Sequence, residues 1–190
     1  MTWLVAGLGN PGERYRCTRH NVGFRVVSAL GAKAGIAFDH QAVDRRWGRG
    51  RIAGQPAVLV QPLGYMNCSG PPVGRLMKEL EIGHGAMIVV HDDIDLALGR
   101  LKIKEKGGDG GHRGIRSLMD AIGDGDFIRL RIGIGRPVAG IDVVDHVLGN
   151  FTEEELRLLD PAIERACAAI ATVLVDGTRA AMNRFNTREP

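Results

Sequence analysis

The chain has 190 residues, 44% hydrophobic and 25% charged, with a net charge of +3; these are ordinary values for one globular domain with a core to bury. No apolar run approaches the ~20 residues of a membrane span, "MTWLVAGLGNPGE" lacks the basic start of a signal peptide, and the small positive surplus permits an acidic partner without requiring one. Cys17, Cys68 and Cys167 are too scattered for a disulfide framework or a C-x-x-C metal knuckle, which fits a reducing cytoplasm.

Short β-branched runs alternate with helical patterns. "WLVAGL" (3–8) reads as a buried strand. "NVGFRVVSALGAKAG" (21–35) places Val22, Val26, Val27, Leu30 and Ala34 on one helical face and ends on Gly35, a C-cap residue. "GRGRIAGQPAVLVQP" (48–62) predicts a hairpin turning at Gly54 to Pro56. "SGPPVGRLMKELEI" (69–82) predicts a helix entered through Pro71 and Pro72. "AMIVVHDD" (86–93) is a strand of the fully buried kind, while "GRLKIKEK" (99–106) and "FIRLRIGIG" (127–135) alternate strictly. Thr152 and Glu155 fit a capping box, and Asp160-Pro161 reads as the start of a second helix running to Gly177. The expected fold is a single α/β domain spanning 1–190, its twisted mixed sheet flanked by helices, since hairpins exclude a purely parallel sheet.

Gly7, Gly9 and Gly12 match the dinucleotide fingerprint G-x-G-x-x-G letter for letter. That fingerprint requires a turn opening directly into an amphipathic helix, and an acidic residue roughly 20 positions on for the ribose. Here the turn leads into polar "ERYRCTRHN", and no acidic residue lies between Glu13 and Asp39. A strand-ending turn explains the glycines but not Asn10, whose amide stands where α/β folds place their sites.

Several clusters could carry chemistry. His20 lies just before the first helix, where the helix dipole favours a neutral, proton-accepting imidazole; a plain surface histidine would look the same. In "HDDIDL" (91–96), His91, Asp93 and Asp95 share a face if extended and could hold a divalent ion; alternatively one Asp orients a catalytic histidine, or the stretch is a solvated loop. "GGDGGHRG" (107–114) can approach a ligand closely and offer backbone N–H groups to an anion. Arg100, Lys102, Lys104 and Lys106 alternate on one strand, and Arg129 and Arg131 on another, as a solvated face or a phosphate track. "YMNCSG" (65–70) offers Tyr65 for stacking and the Asn67 amide, or is simply a helix entry with Asn67 or Ser69 as N-cap. No G-x-S-x-G elbow is present, so in a hydrolase the nucleophile would be water.

Taken together, "GLGNPGERY", "TRHNVGF", "YMNCSG", "HDDIDL", "GGDGGH", "RLRIGIGRP" and "AMNRFN" resemble bacterial peptidyl-tRNA hydrolase, in that family's order and over nearly the whole chain. The resemblance implies hydrolysis of the ester joining a peptide to the 3′ end of tRNA, recycling tRNA after stalled translation. It further implies no metal or cofactor, a cytoplasmic monomer, a lid-like segment and a C-terminal helix around the cleft. Carried over residue by residue, it makes His20 the proton acceptor, Asp92 its orienting carboxylate and Asn10 the amide that recognises the peptide. Tyr15, Tyr65 and Asn67 would touch the CCA end of the tRNA, with Met66 and His112 lining the cleft. Lys104 and Arg131 would hold the 5′ phosphate of the acceptor stem. One position departs: where the family usually has "GHNG", this chain has "GHRG", and Arg113 offers donors for phosphate or carbonyl oxygens but no acceptor. A non-enzymatic RNA-binding protein is the runner-up, followed by a metal-dependent hydrolase and a cofactor-binding oxidoreductase.

Overall fold

A computed structural model describes residues 1–123 and 125–187. In chain order the elements are β1 (Trp3–Gly7), α1 (Val22–Ala34), β2 (His40–Gln41), β3 (Arg45–Ile52), β4 (Gln55–Pro62), α2 (Gly70–Glu79), β5 (Met87–Asp93), β6 (Leu101–Lys104), α3 (Arg113–Ile122), β7 (Ile128–Gly133), α4 (Val143–Leu148), α5 (Glu153–Asp176) and α6 (Thr178–Phe185). The seven strands form one sheet in the order β2-β3-β4-β1-β5-β7-β6. Its centre is parallel, β4-β1-β5-β7, and its margins are antiparallel. The central strands are buried along their whole length in β1 and β5, which is why they read as unbroken apolar runs rather than alternations. Helices α1 and α5 pack together, as do α2 and α3.

The β3–β4 hairpin turns on Ala53 and Gly54, both at positive φ, the two-residue geometry that matches strand twist. The turn therefore sits one residue earlier than expected. Gly35 ends α1 in the left-handed conformation while Ile36 N–H returns to the Gly31 carbonyl at 2.9 Å, so the expected C-cap is present.

The expected break at Asp160-Pro161 is absent: α5 runs through Pro161 without interruption. Leu159, Ile163, Ala166, Ile170 and Val173 are buried and recur every three or four residues across the proline. Burial of this continuous stripe outweighs the one backbone hydrogen bond that proline cannot donate. Asp160 does not cap; its carboxylate lies 3.4 Å from Arg25 on α1. The Thr152–Glu155 capping box is present in both directions. Helices α3, α4 and α6 carry no expectation of their own from periodicity. For α3 and α4 the signals were there: Ile115, Leu118, Met119 and Ile122 on one face, and Asp142 followed by six residues and Gly149.

Gly7 and Gly9 serve packing. A Cβ on Gly7 would come within 2.4 Å of the Gly23 carbonyl oxygen, and one on Gly9 would strike the Phe24 ring at 2.7 Å. Gly23 in turn lets α1 seat against Leu8 and the Val90 carbonyl. The fingerprint is thus a strand-to-helix contact, and the turn after it opens into a short 3-10 turn rather than a phosphate-binding helix. Because β1 and β5 are neighbours and parallel, their carboxyl ends lie side by side, bringing Asn10 and "HDD" to the same edge.

Candidate active site

Three side chains from three separate segments meet at that edge. Asp92, near the end of β5, is buried and receives Nδ1 of His20 at 2.8 and 2.9 Å on its two oxygens. It also receives Nε2 of His112 at 2.9 Å. His112 is the N-cap of α3, and its Nδ1 accepts from the backbone N–H groups of Gly114 (3.1 Å) and Ile115 (3.3 Å). Nδ1 is therefore unprotonated, and Nε2 carries the hydrogen given to Asp92. Burial alone would raise the Asp92 carboxyl, but the hydrogen bonds of His20 and His112, and their positive charge when acid protonates them, outweigh it. They hold the group well below the usual carboxylate range. An ionised Asp92 accepts the Nδ1 hydrogen of His20, which leaves Nε2 of His20 as the lone-pair nitrogen.

His20 sits in the 3-10 turn Arg19–Asn21 that leads into α1. Its neighbour Arg19 fixes this turn from outside, with both oxygens of Glu155 at 2.9 and 2.7 Å and the His146 carbonyl at 3.3 Å. Asn21 and Asn10 clasp each other: Asn10 N–H donates to Asn21 Oδ1 and Asn21 Nδ2 to the Asn10 carbonyl, both at 2.9 Å. The Asn10 Oδ1 accepts the Met66 N–H at 2.7 Å, so the Asn10 amide turns its Nδ2 donor elsewhere. Neither Arg19 nor Asn21 stands out in the sequence, because their partners are distant or backbone atoms.

His20, Asp92, Asn10, Tyr15, Tyr65, Met66, Asn67, Lys104, His112, Arg113 and Arg131 all line one cleft of about 740 Å³. Tyr65, 63% exposed, stands at its mouth and Met66 is buried in its wall. Asn67 and Lys104 are exposed, and Tyr15 is half-buried with its hydroxyl on the Arg14 guanidinium. Arg131 pairs with the Asp93 carboxylate. Val143, Val144, Val147 and Leu148 of α4 supply an apolar wall. Arg129 is buried and donates to the Gly107 carbonyl at 2.6 Å, tethering the glycine loop rather than extending a phosphate track. A larger groove of about 1190 Å³ shares Asn10 but contains neither His20 nor Asp92.

The metal reading of His91, Asp93 and Asp95 fails on geometry. His91 Nδ1 donates to the Asp92 carbonyl at 2.8 Å, Asp93 holds Arg131 and the Asp95 N–H, and Asp95 holds Arg136. The ligand atoms that do converge, within 4.8 Å of one another, belong to His20, Asp92 and His112. A metal on His112 Nε2 would need a lone pair there, and the proton moved to Nδ1 would face two N–H donors. This donor set fits a hydrogen-bonded relay better than a metal ion. Ser69, not Asn67, occupies the N-cap position of α2, but its hydroxyl donates to the Met66 carbonyl at 2.8 Å instead of accepting from the helix.

The family model for peptidyl-tRNA hydrolase matches residues 4–190. The chain belongs to the peptidyl-tRNA hydrolase family. The peptidyl-tRNA hydrolase of Dehalococcoides mccartyi is 45% identical over 186 residues, 96% of this chain and 98% of the relative. That of Bacillus subtilis is 41% identical over 185 residues, covering 97% and 98%. The crystal structure of the Acinetobacter baumannii peptidyl-tRNA hydrolase superimposes with a TM-score of 0.92 at 40% identity, covering 100% of this chain and 96% of that one. Membership makes the protein a hydrolase on a fold shared along its full length. No helix among the described residues is long and apolar enough to cross a membrane.

Proposed function

We propose that the cleft hydrolyses the ester between peptide and tRNA with water as the nucleophile, activated by His20. One observation carries the reading: His112 can only donate to Asp92, and Asp92 in turn holds the Nδ1 hydrogen of His20. Nε2 takes a proton from water as the water oxygen attacks the ester carbonyl carbon; the tetrahedral intermediate collapses, and the proton passes to the departing ribose oxygen. Asn10 Nδ2 and the Asn67 amide stabilise the developing oxyanion or hold the peptide carbonyl. Tyr15, Tyr65 and Met66 form the surface for the terminal bases of the CCA end. Lys104 and Arg131 take the 5′ phosphate, and Asp93 orients the Arg131 guanidinium. No metal or cofactor enters these steps. The protein acts on peptidyl-tRNA left by stalled translation and returns free tRNA, as a monomer in the cytoplasm.

The test compares N-acetyl-aminoacyl-tRNA with the same tRNA bearing a free α-amine, with EDTA present. Cleavage of the blocked substrate alone, reduced about 10²–10⁴-fold in His20→Ala, is the expected result. A His20→Ala protein with wild-type turnover would remove His20 from the mechanism. Retention of tRNA without cleavage by the wild type would favour an RNA-binding protein.

A further inference from the structure

We infer that Arg113 binds a phosphate of the single-stranded 3′ end of the substrate tRNA, an inference that rests on reading the cleft as the hydrolase site. Arg113 opens α3, is exposed, and lines both the catalytic cleft and an adjoining shallow groove of about 490 Å³. Asn67 belongs to the same two surfaces, and the Met66–Cys68 turn packs directly on α3. Arg113 therefore stands on the lip of the cleft that carries Tyr65 and Asn67. Asn10 and the apolar wall of α4 belong to other segments of the cleft.

Arg116, one turn on from Arg113, is engaged by Asp109 at 2.8 Å, with Asp120 also acting on it. Among the described residues the Arg113 side chain makes no hydrogen bond, ion pair or ring contact. The helix start offers an anion little else, because the N–H groups of Gly114 and Ile115 go to His112 Nδ1 and that of Arg116 to the His112 carbonyl. An anion arriving at this lip meets the guanidinium itself. With five donors and no acceptor, Arg113 can bind only acceptor atoms. A phosphate, charged and planar-bidentate in its approach to arginine, is a stronger partner than a neutral peptide carbonyl. A base stacked on Tyr65 and a phosphate on Arg113 are neighbouring contacts on one lip.

The experiment pairs Arg113→Gln and Arg113→Lys with N-acetyl-aminoacyl-tRNA in which one of the two 3′-terminal linkages is a neutral methylphosphonate. Arg113→Gln should raise KM about three- to tenfold with kcat nearly unchanged, the scale of one partly exposed charge-assisted contact. Arg113→Lys should recover part of the loss. Neutralising the relevant linkage should raise the wild-type KM similarly and leave that of Arg113→Gln unmoved. Between 50 and 200 mM salt the wild-type advantage should shrink about 2.5-fold, as one single-strand phosphate contact requires. Equal sensitivity of wild type and Arg113→Gln to both neutral linkages would overturn the assignment, as would an unchanged KM in Arg113→Gln. Failure of the wild type on the unmodified substrate would remove the hydrolase reading itself, a result separate from any of these.

Discussion

Replacing Asp92 by Asn tests the wiring of the cluster with little change in shape. The carboxylate takes His20 Nδ1 on both oxygens, Oδ1 at 2.8 Å and Oδ2 at 2.9 Å, and His112 Nε2 on Oδ1 at 2.9 Å, so His20 alone faces Oδ2. An amide has one oxygen to give. His112 cannot reverse its ring, because Nδ1 already accepts two backbone N–H groups, so its Nε2–H claims that oxygen. The NH₂ group then faces His20 Nδ1. Keeping the hydrogen on Nδ1 would set donor against donor in a buried site, at a cost of about 1–3 kcal/mol. His20 escapes by moving its hydrogen to Nε2, where it can no longer accept a proton from water. The same substitution in a serine protease triad lowers kcat about 10⁴-fold through the wrong tautomer, and Asp92→Asn should cost about 10³–10⁴-fold here. KM should change little, since Asp92 touches the histidines and not the rim of the cleft. The assay is single-turnover release of labelled N-acetyl-amino acid from tRNA at saturating enzyme, beside a thermal melt confirming the fold. The double variant His20→Ala/Asp92→Asn should be no slower than the worse single variant, because the two act as a unit. An Asp92→Asn enzyme within about tenfold of wild type would refute the tautomer argument.

Two further expectations concern the scaffold. Gly23→Ala would place a methyl group 2.3 Å from the Val90 carbonyl oxygen and 2.5 Å from Leu8 N. Neither is a movable side chain, so urea unfolding should show a loss of about 3 kcal/mol or more; an unchanged midpoint would contradict the contact. His91 is the pH-dependent element of the fold. Burial, with His112 and Arg131 adding to it, pushes its imidazole well below the usual range against the opposing pull of Asp92. The unfolded chain binds a proton below about pH 6.5 that the folded chain does not. Wild type should therefore lose stability relative to His91→Gln as pH falls, approaching tenfold in the folding constant per pH unit. Parallel stability curves for the two proteins would show that His91 titrates alike folded and unfolded. Asp92 acts in the same direction only in stronger acid: its contribution is complete above the unfolded carboxylate value of about 4 and is lost below it.

The elements whose residues interact mainly with their near neighbours were readable in the chain. The unbroken apolar runs of β1 and β5 announced strands buried on both faces, and Thr152 with Glu155 announced the start of α5. The order of motifs pointed to the family and, through it, to His20, Asp92 and Asn10. At two places the local pattern and the tertiary role part for the same reason. Asp160-Pro161 looks like a helix start locally, and only the stripe from Leu159 to Val173 packed beneath it keeps α5 whole. Gly7 and Gly9 look like a cofactor loop, and only α1 pressed against them shows what the missing side chains make room for.

The sequence by itself determined the class of the fold and the types of residue available for the reaction, because periodicity, caps and residue chemistry are local properties. What only the tertiary structure decided is who binds whom. The parallel pairing of β1 with β5 brings Asn10 and Asp92 to one edge, and the cap on α3 dictates which nitrogen of His112 carries the hydrogen. Arg19 reaches 136 positions along the chain to Glu155 to hold the histidine turn. Protonation and orientation depend on such through-space partners, whose separation along the chain leaves no periodic trace.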